Sequence, residues 1–462
     1  MDSYPSLANI TIDNTTIAVE KMLDLYIEET VGKHAHAMLY AQLKADANIN
    51  DMLELADQLT IQLGQDDIEQ DDIEQEKTPL FTGYIQHIEL TTHARVRFIR
   101  LSLVGLSSKM DILSHTKRYH NPDRTYKCLF NKLVHAHDGE CTDTAFEGEA
   151  QTDLAIQYQE TDWQFLRRLA SRKEAPVYTR MNEPELTVFV GKPDSGPETL
   201  NANLLEKTFE SNTFVYRVRS VETHPLCSSV TFDDNTYCIT TRTIYAHEGI
   251  LLQTYTLQPP ETVTTEKTQN ATLAGASLSG TVHDFDPDNG LNYLRIKLDE
   301  DEAGAEENEE WFEVATPYSG EGNVGSFGVY IMPSPSARVA LYFPQADESL
   351  AYVAAVFQSE NIPQGILESQ ANKQWATSGH TLLMNDEQLT LSYKESASLS
   401  IKTNDAFSIH SEAAILIKAD DLELNKVANL AVTGNEIELK TNSSSILLGR
   451  NIDISATAPI RL

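Results

Sequence analysis

The chain has 462 residues, more than one ordinary hydrophobic core can serve, so three domains of roughly 150 residues each are expected. Its 35 Lys and Arg against 69 Asp and Glu leave a formal charge of −34, which repels phosphate backbones and argues against nucleic acid as a partner. Hydrophobic content of 41%, with 18 Tyr and 15 Phe, is ample for folding, so the acidity marks the solvated surface of a globular chain and excludes a disordered one.

Residues 1–9 show no basic segment followed by an apolar one, and the longest apolar run, near 352–357, is far too short to span a bilayer. Neither a signal peptide nor a transmembrane segment is expected. From residue 10 to about 260 the chain reads mainly as strands, for example 101–104, 186–190, 214–221 and 250–257, which are rich in β-branched or aromatic residues and bounded by turn formers. The clearest helix starts after Thr161 or Asp162 as N-cap, with Trp163, Leu166 and Ala170 on one face and Arg167, Arg168 and Arg172 outside. At Asp66 and again at Asp71 the pentapeptide DDIEQ begins, a charged duplication that can bury nothing and reads as an exposed loop.

Residues 259–278 begin with Pro-Pro, are rich in Thr, Ser and Ala, and lack strong periodicity, as a linker does. Between Gly280 and Phe357 come six short strands, around Val282 and at 294–298, 311–315, 327–331, 339–343 and 352–357, separated by Gly, Pro and Asp turns. That pattern predicts a small closed barrel of the oligonucleotide/oligosaccharide-binding (OB) type.

In the tail, from Thr381 onward, apolar residues come in pairs two apart: Leu399 and Ile401, Phe407 and Ile409, Ile415 and Ile417, Leu422 and Leu424, Leu430 and Val432, Ile437 and Leu439, Ile446 and Leu448, Ile452 and Ile454. Successive pairs start 8, 8, 7, 8, 7, 9 and 6 residues apart. Each strand thus offers a thin apolar face that one chain cannot cover. Three copies wound round a common axis bury it, which predicts an intertwined β-helix whose strand edges pair with other chains and whose stability is inseparable from trimerisation. A single-chain parallel β-helix needs coils of about 20 residues and fits the period less well.

No motif for chemistry survives inspection. Asp284, Asp286, Asp288 and Gly290 resemble a calcium loop, but the glycine is one place late and Arg295 stands where a bidentate Glu belongs, so a hairpin turn is expected. The carboxylate run at 299–310 reads as a solvated loop. Cys128, His135, His137 and Cys141 offer zinc-type donors within fourteen residues, yet in no common finger spacing, and a core cysteine with surface histidines is the plainer reading. His34 and His36 read as ordinary strand residues. The GASLSG stretch at 275–280 lacks the spacing of a nucleophile elbow, and no phosphate loop occurs. The four cysteines, Cys128, Cys141, Cys227 and Cys238, are too few for a disulfide scaffold and fit a reducing cytoplasm. No catalytic residue, cofactor or metal is expected.

The tract IQYQETDWQFLRRL at 156–169 resembles the lead into a helix in VgrG spike proteins of type VI secretion and in phage tail hub proteins. GTV at 280–282, LRIKL at 294–298, WFEVA at 311–315, Gly325 and Gly328 before YIMP at 330–333, and ARVALYF at 337–343 resemble the barrel of the same family in order and spacing. The resemblance implies a mainly β homotrimer with a β-barrel hub at 1–260, a linker at 261–279, an OB-fold collar at 280–360, a connector at 361–380 and a β-helical needle at 381–462. It implies no enzyme but the central spike of a contractile injection system, assembled in the bacterial cytoplasm and driven out on contraction. Implied partners are an Hcp-like inner tube or tube initiator, baseplate proteins, a PAAR-type tip protein, noncovalent effector cargo and, transiently, a target membrane. The short stretch at 359–380 leaves no room for the lysozyme domain of some phage relatives, and the last 50 residues lack the His-x-His iron site of some self-sharpened spikes. A trimeric receptor-binding tail fibre or adhesin is the alternative, and a tail hydrolase with its site in the first domain a third.

Overall fold

The computed structural model describes residues 5–13, 17–45, 47, 58–64, 77–210, 212–285, 293–300, 311–316, 319–322, 325–328, 332–357, 373–377, 379–403, 407–417, 433, 437–440 and 445–448. The chain divides into two compact units, Met1–Glu360 and Asn361–Leu462. The DDIEQ duplication, most of the calcium-like loop, the acidic run from residue 301 and the apolar pairs at 422–424, 430–432 and 452–454 lie outside the described residues.

The first unit is built on a 12-stranded sheet, whose path runs Ile10–Ile12, Gln58–Leu63, Thr78–His93, Val96–Gly105, His36–Leu43, Val19–Thr30, Asn235–His247, Ile250–Gln258, Thr213–Ser220, Asn203–Glu210, with Ser229–Phe232 and Glu198–Thr199 branching off Asn235–His247. Alternation explains why these segments are strands. In His36–Leu43 the side chains of Ala37, Leu39, Ala41 and Leu43 are buried while their neighbours are not, and Leu39 faces Leu101 across the ladder. The buried members of these strands, with Leu25, Ile27, Phe81 and Ile99, form one core.

Among the described residues two α-helices break the β pattern. Helix α1 spans Tyr126–His135 and helix α2 spans Asp162–Ser171. In α2 the Thr161 hydroxyl accepts from the Gln164 N–H, and the Gln164 side chain accepts from the Thr161 N–H, so both ends of a capping box are made. Trp163, Phe165, Leu166 and Leu169 bury its apolar face beside α1 and a three-stranded sheet of Val177–Thr179, Thr187–Val190 and Glu140–Asp143. Arg168, expected outside, is buried at 5% exposure; Arg167 and Arg172 are half-buried.

Five strands, not six, close the barrel: Ser277–Phe285, Tyr293–Leu298, Trp311–Val314, Arg338–Tyr342 and Tyr352–Val356. The order round the wall is first, second, third, fifth, fourth and back to the first, with the third and fifth parallel. Of the expected strand at 327–331, residues 327 and 328 belong to a separate hairpin of Ser319–Gly322 and Gly325–Gly328, where glycine-rich sequence suits a two-strand ribbon better than a packed wall, and 329–331 lie outside the described residues. Residues 261–279 are fastened along their length. Thr265 N–H donates to Glu174 O, Thr268 N–H to the Ser171 hydroxyl at 3.1 Å, and the Asn270 amide to Tyr158 O at 2.7 Å, with Val263, Asn270 and Leu273 buried.

In the second unit, Lys373–Ala376, His380–Met384, Gln388–Tyr393, Ala397–Lys402 and Ser408–Ser411 form a five-stranded antiparallel meander, and Ile437–Lys440 pairs with Ser445–Leu448. The three inner strands of the meander therefore pair on both sides within the chain, where pairing with other chains was expected. Three-residue turns at 385–387 and 394–396 fold each strand directly back on its predecessor.

Candidate functional site

The tail meander is patterned against the usual rule. In Gln388–Tyr393 the apolar Leu389, Leu391 and Tyr393 are exposed, whereas Gln388, Thr390 and Ser392 are half-buried. Register aligns the exposed residues. Trp375 faces Leu382, Leu382 faces Leu391, Leu391 faces Leu399 and Leu399 faces Ile409, so one apolar row crosses all five strands. Two residues along, Met384, Leu389 and Ile401 make a second row on the same face. The opposite face carries Thr381, Thr390, Ser392, Ser398, Ser400 and Ser408, with the Ser400 and Ser408 hydroxyls 2.9 Å apart. Ile415 and Ile417, which follow the last strand, are also exposed. A contiguous apolar sheet face of this kind is an interaction surface or an aggregation hazard.

A second feature lies between α2 and the barrel. Arg168 grips Glu160 with Nε and Nη2, each 2.8 Å from a carboxylate oxygen, reaches Glu348 with Nη1 at 2.7 Å, and donates to Ile156 O at 2.7 Å. Arg172 adds a longer contact, 3.6 Å, to the other Glu348 oxygen. Glu348 belongs to the turn Glu348–Leu350 between the fourth and fifth barrel strands, so the cluster ties α2 to the barrel with buried charge-assisted bonds. Leu154 and Ile156 of the hub pack into the same core as barrel residues Leu294, Phe312 and Leu341. A cavity of about 820 Å³ opens beside the cluster, lined by Arg172, Lys267, Tyr293, Trp311, Asp347 and Tyr352 among others.

The residues singled out in the sequence scatter. Cys128 is exposed at the start of α1 beside Thr125, Cys141 is buried, His135 is exposed, and His137 bonds Asp162 at 2.8 Å. Among the described residues no three His, Cys, Asp or Glu side chains converge as a metal site. His34 is not a strand residue: it precedes His36–Leu43 and sits 2.7 Å from the Ser107 hydroxyl and 3.3 Å from Asp111, its ring 4.8 Å from that of Trp163. Burial pushes its pKa down, against the pull of Asp111. These are the residue types of a hydrolytic triad, but Ser107 is 1% exposed, so its oxygen meets the protein interior and not a substrate. Sequence reading missed this cluster because 73 residues separate His34 from Ser107.

No protein-family model matches the sequence, and no curated protein does. Solved structures do match the fold. The c3393 protein of E. coli, a component of the type VI secretion system with structural similarity to the T4 bacteriophage tail proteins gp27 and gp5, is similar over 75% of this chain and 99% of that chain, with TM-score 0.53 and 11% identity. The lidless PdpA-VgrG complex is similar over 87% of this chain and 97% of that chain, with TM-score 0.56 and 9% identity. The half-lidded Francisella PdpA-VgrG complex gives TM-score 0.56 at 9% identity over 87% of both chains. At such identities the likeness is one of architecture, and on it this chain has the fold of the VgrG-type spike and phage tail hub proteins.

Proposed function

We propose that this chain is the trimeric central spike and hub of a contractile injection system, a mechanical part and not an enzyme. The observation that carries the reading is the apolar face of the tail meander, which runs across five strands and stays exposed on a single chain. Three copies turning that face inward remove it from water. In this reading 381–462 is the needle, 361–380 its connector, and 280–360 an OB-type collar, supported by the one-two-three-five-four strand order and the parallel third and fifth strands. Residues 1–260 then adapt a hexameric inner tube to the threefold needle, and 261–279 run as a strap between hub and collar. Baseplate proteins, a PAAR-type tip and noncovalent cargo are the partners this role requires, with the target envelope contacted during contraction.

The buried Arg168 cluster suits such a role, since force passed from tube to needle crosses the hub and barrel joint. The test is solution mass by light scattering of the purified chain. A value near 155 kDa, about three times the 51.5 kDa of one chain, supports the shared needle. A stable folded monomer removes it, and the puncturing role with it.

A further inference from the structure

Cys227 and Cys238 are both 1% exposed, packed among Tyr178, Leu200, Val218 and Val230, and their sulfurs lie 3.8 Å apart. The backbone clamps them together. Cys227 N–H donates to Ile239 O at 2.9 Å, and Ile239 N–H returns a bond to Ser228 O at 3.1 Å. Cys238 is in the strand Asn235–His247, opposite Ser229, whereas Cys227 is in the turn that leads into Ser229–Phe232. At φ +65° Cys227 occupies the left-handed region, where glycine or asparagine sits with less strain. A cysteine at a position whose backbone favours other residues points to the sulfur as the reason for its presence.

We infer that Cys227 and Cys238 are a latent disulfide, reduced where the chain is made and closed by exchange with a small-molecule or protein disulfide when the chain meets an oxidising compartment. When the turn carrying Cys227 opens and admits the oxidant, Cys238 loses its proton to the medium and its thiolate attacks one sulfur of the incoming disulfide; that sulfur stays as a mixed disulfide on Cys238 and the other leaves as a thiolate. Cys227, deprotonated to the medium, then attacks the Cys238 sulfur and expels the second thiolate. One disulfide is reduced to two thiols, and one dithiol is oxidised. The hydrogen bond shared with Cys238, and burial after it, hold the Cys227 thiol above its usual range, which makes Cys238 the first attacker. Bond formation draws the sulfurs from 3.8 Å to about 2.05 Å, a closure that side-chain rotation and a small movement of the turn supply. The bond pins the turn to the strand and closes the loop from 227 to 238.

The full-length chain carrying Cys128→Ser, which removes the exposed thiol, is incubated with oxidised glutathione in native buffer and again in urea below its unfolding midpoint, then alkylated and weighed intact. Expected are a loss of about 2 Da, one alkylatable thiol remaining, and a cross-linked peptide joining Cys227 to Cys238. Thermal unfolding should shift up by roughly 2–4 °C and return with dithiothreitol, and adding Cys238→Ser should abolish both changes. Three thiols retained under both conditions, a gain of glutathione mass (about 305 Da) without the cross-linked peptide, or a cross-link that leaves the transition unmoved would each overturn the inference.

Discussion

Arg168 is the residue on which the hub and barrel joint turns. Replacing it with alanine leaves Glu160 buried without its cation and Glu348 with only the longer contact to Arg172, and breaking a buried pair by removing one partner costs about 3–5 kcal/mol. Urea unfolding of Arg168→Ala should show that loss, and Glu348→Gln, which keeps a hydrogen-bond acceptor, a smaller one. His34 gives a pH signature. Its folded pKa lies below the ordinary value of about 6.5, so below that pH the unfolded chain binds the proton more readily. The stability it contributes is therefore complete above about pH 6.5 and is lost as pH falls through the depressed folded value. Asp111 and Arg167 face the ring with opposite effects, the first favouring the cation and the second opposing it. The urea midpoint of the native chain should fall between about pH 7.5 and about pH 5 more steeply than that of His34→Asn, and Trp163 fluorescence should report the same transition. Equal slopes for the two chains would remove His34 from the account.

Among the elements, the first barrel strand lies tight against its neighbour. A Cβ at Gly280 would lie 2.7 Å from both Ile296 Cγ2 and Lys297 O, so Gly280→Ala must push the wall apart. Overpacking of that kind costs about 1–3 kcal/mol, to be read as a lowered unfolding midpoint. Such elements were legible where local pattern decides them: the strands by their short β-branched and aromatic runs, α2 by its N-cap and apolar face, the five barrel strands by apolar residues between turns. What escaped was set by residues distant in sequence. Arg168 reads as a surface residue on helical periodicity alone, and only Glu348, 180 positions away, explains why it is inside. Residues 261–279 look like a flexible linker because Thr, Ser and Ala show no period, yet bonds to Tyr158, Ser171 and Glu174 hold them. The tail spacing showed a one-sided apolar strand set, but spacing carries no record of whether the neighbouring strand comes from the same chain.

At the scale of the whole molecule, a charge of −34 keeps copies of this chain apart, so any assembly has to gain more from burial than it loses to repulsion. The rows through Leu391 and Leu399 are the surface that can supply it. Leu391→Asp combined with Leu399→Asp places six carboxylates on the axis of a trimer, and unpaired charges there are strongly disfavoured. Light scattering should then give the mass of one chain, while circular dichroism stays close to that of the parent because the hub and barrel do not depend on the substituted strands. His410→Asp is the matching control: it lies on the opposite face, across from Ser398, and is already exposed, so its charge meets water. Loss of assembly in the first variant and retention in the second assign the apolar face to the interior of a trimer. A doubly substituted chain that still weighs three times its monomer would show that the trimer is held together by another surface.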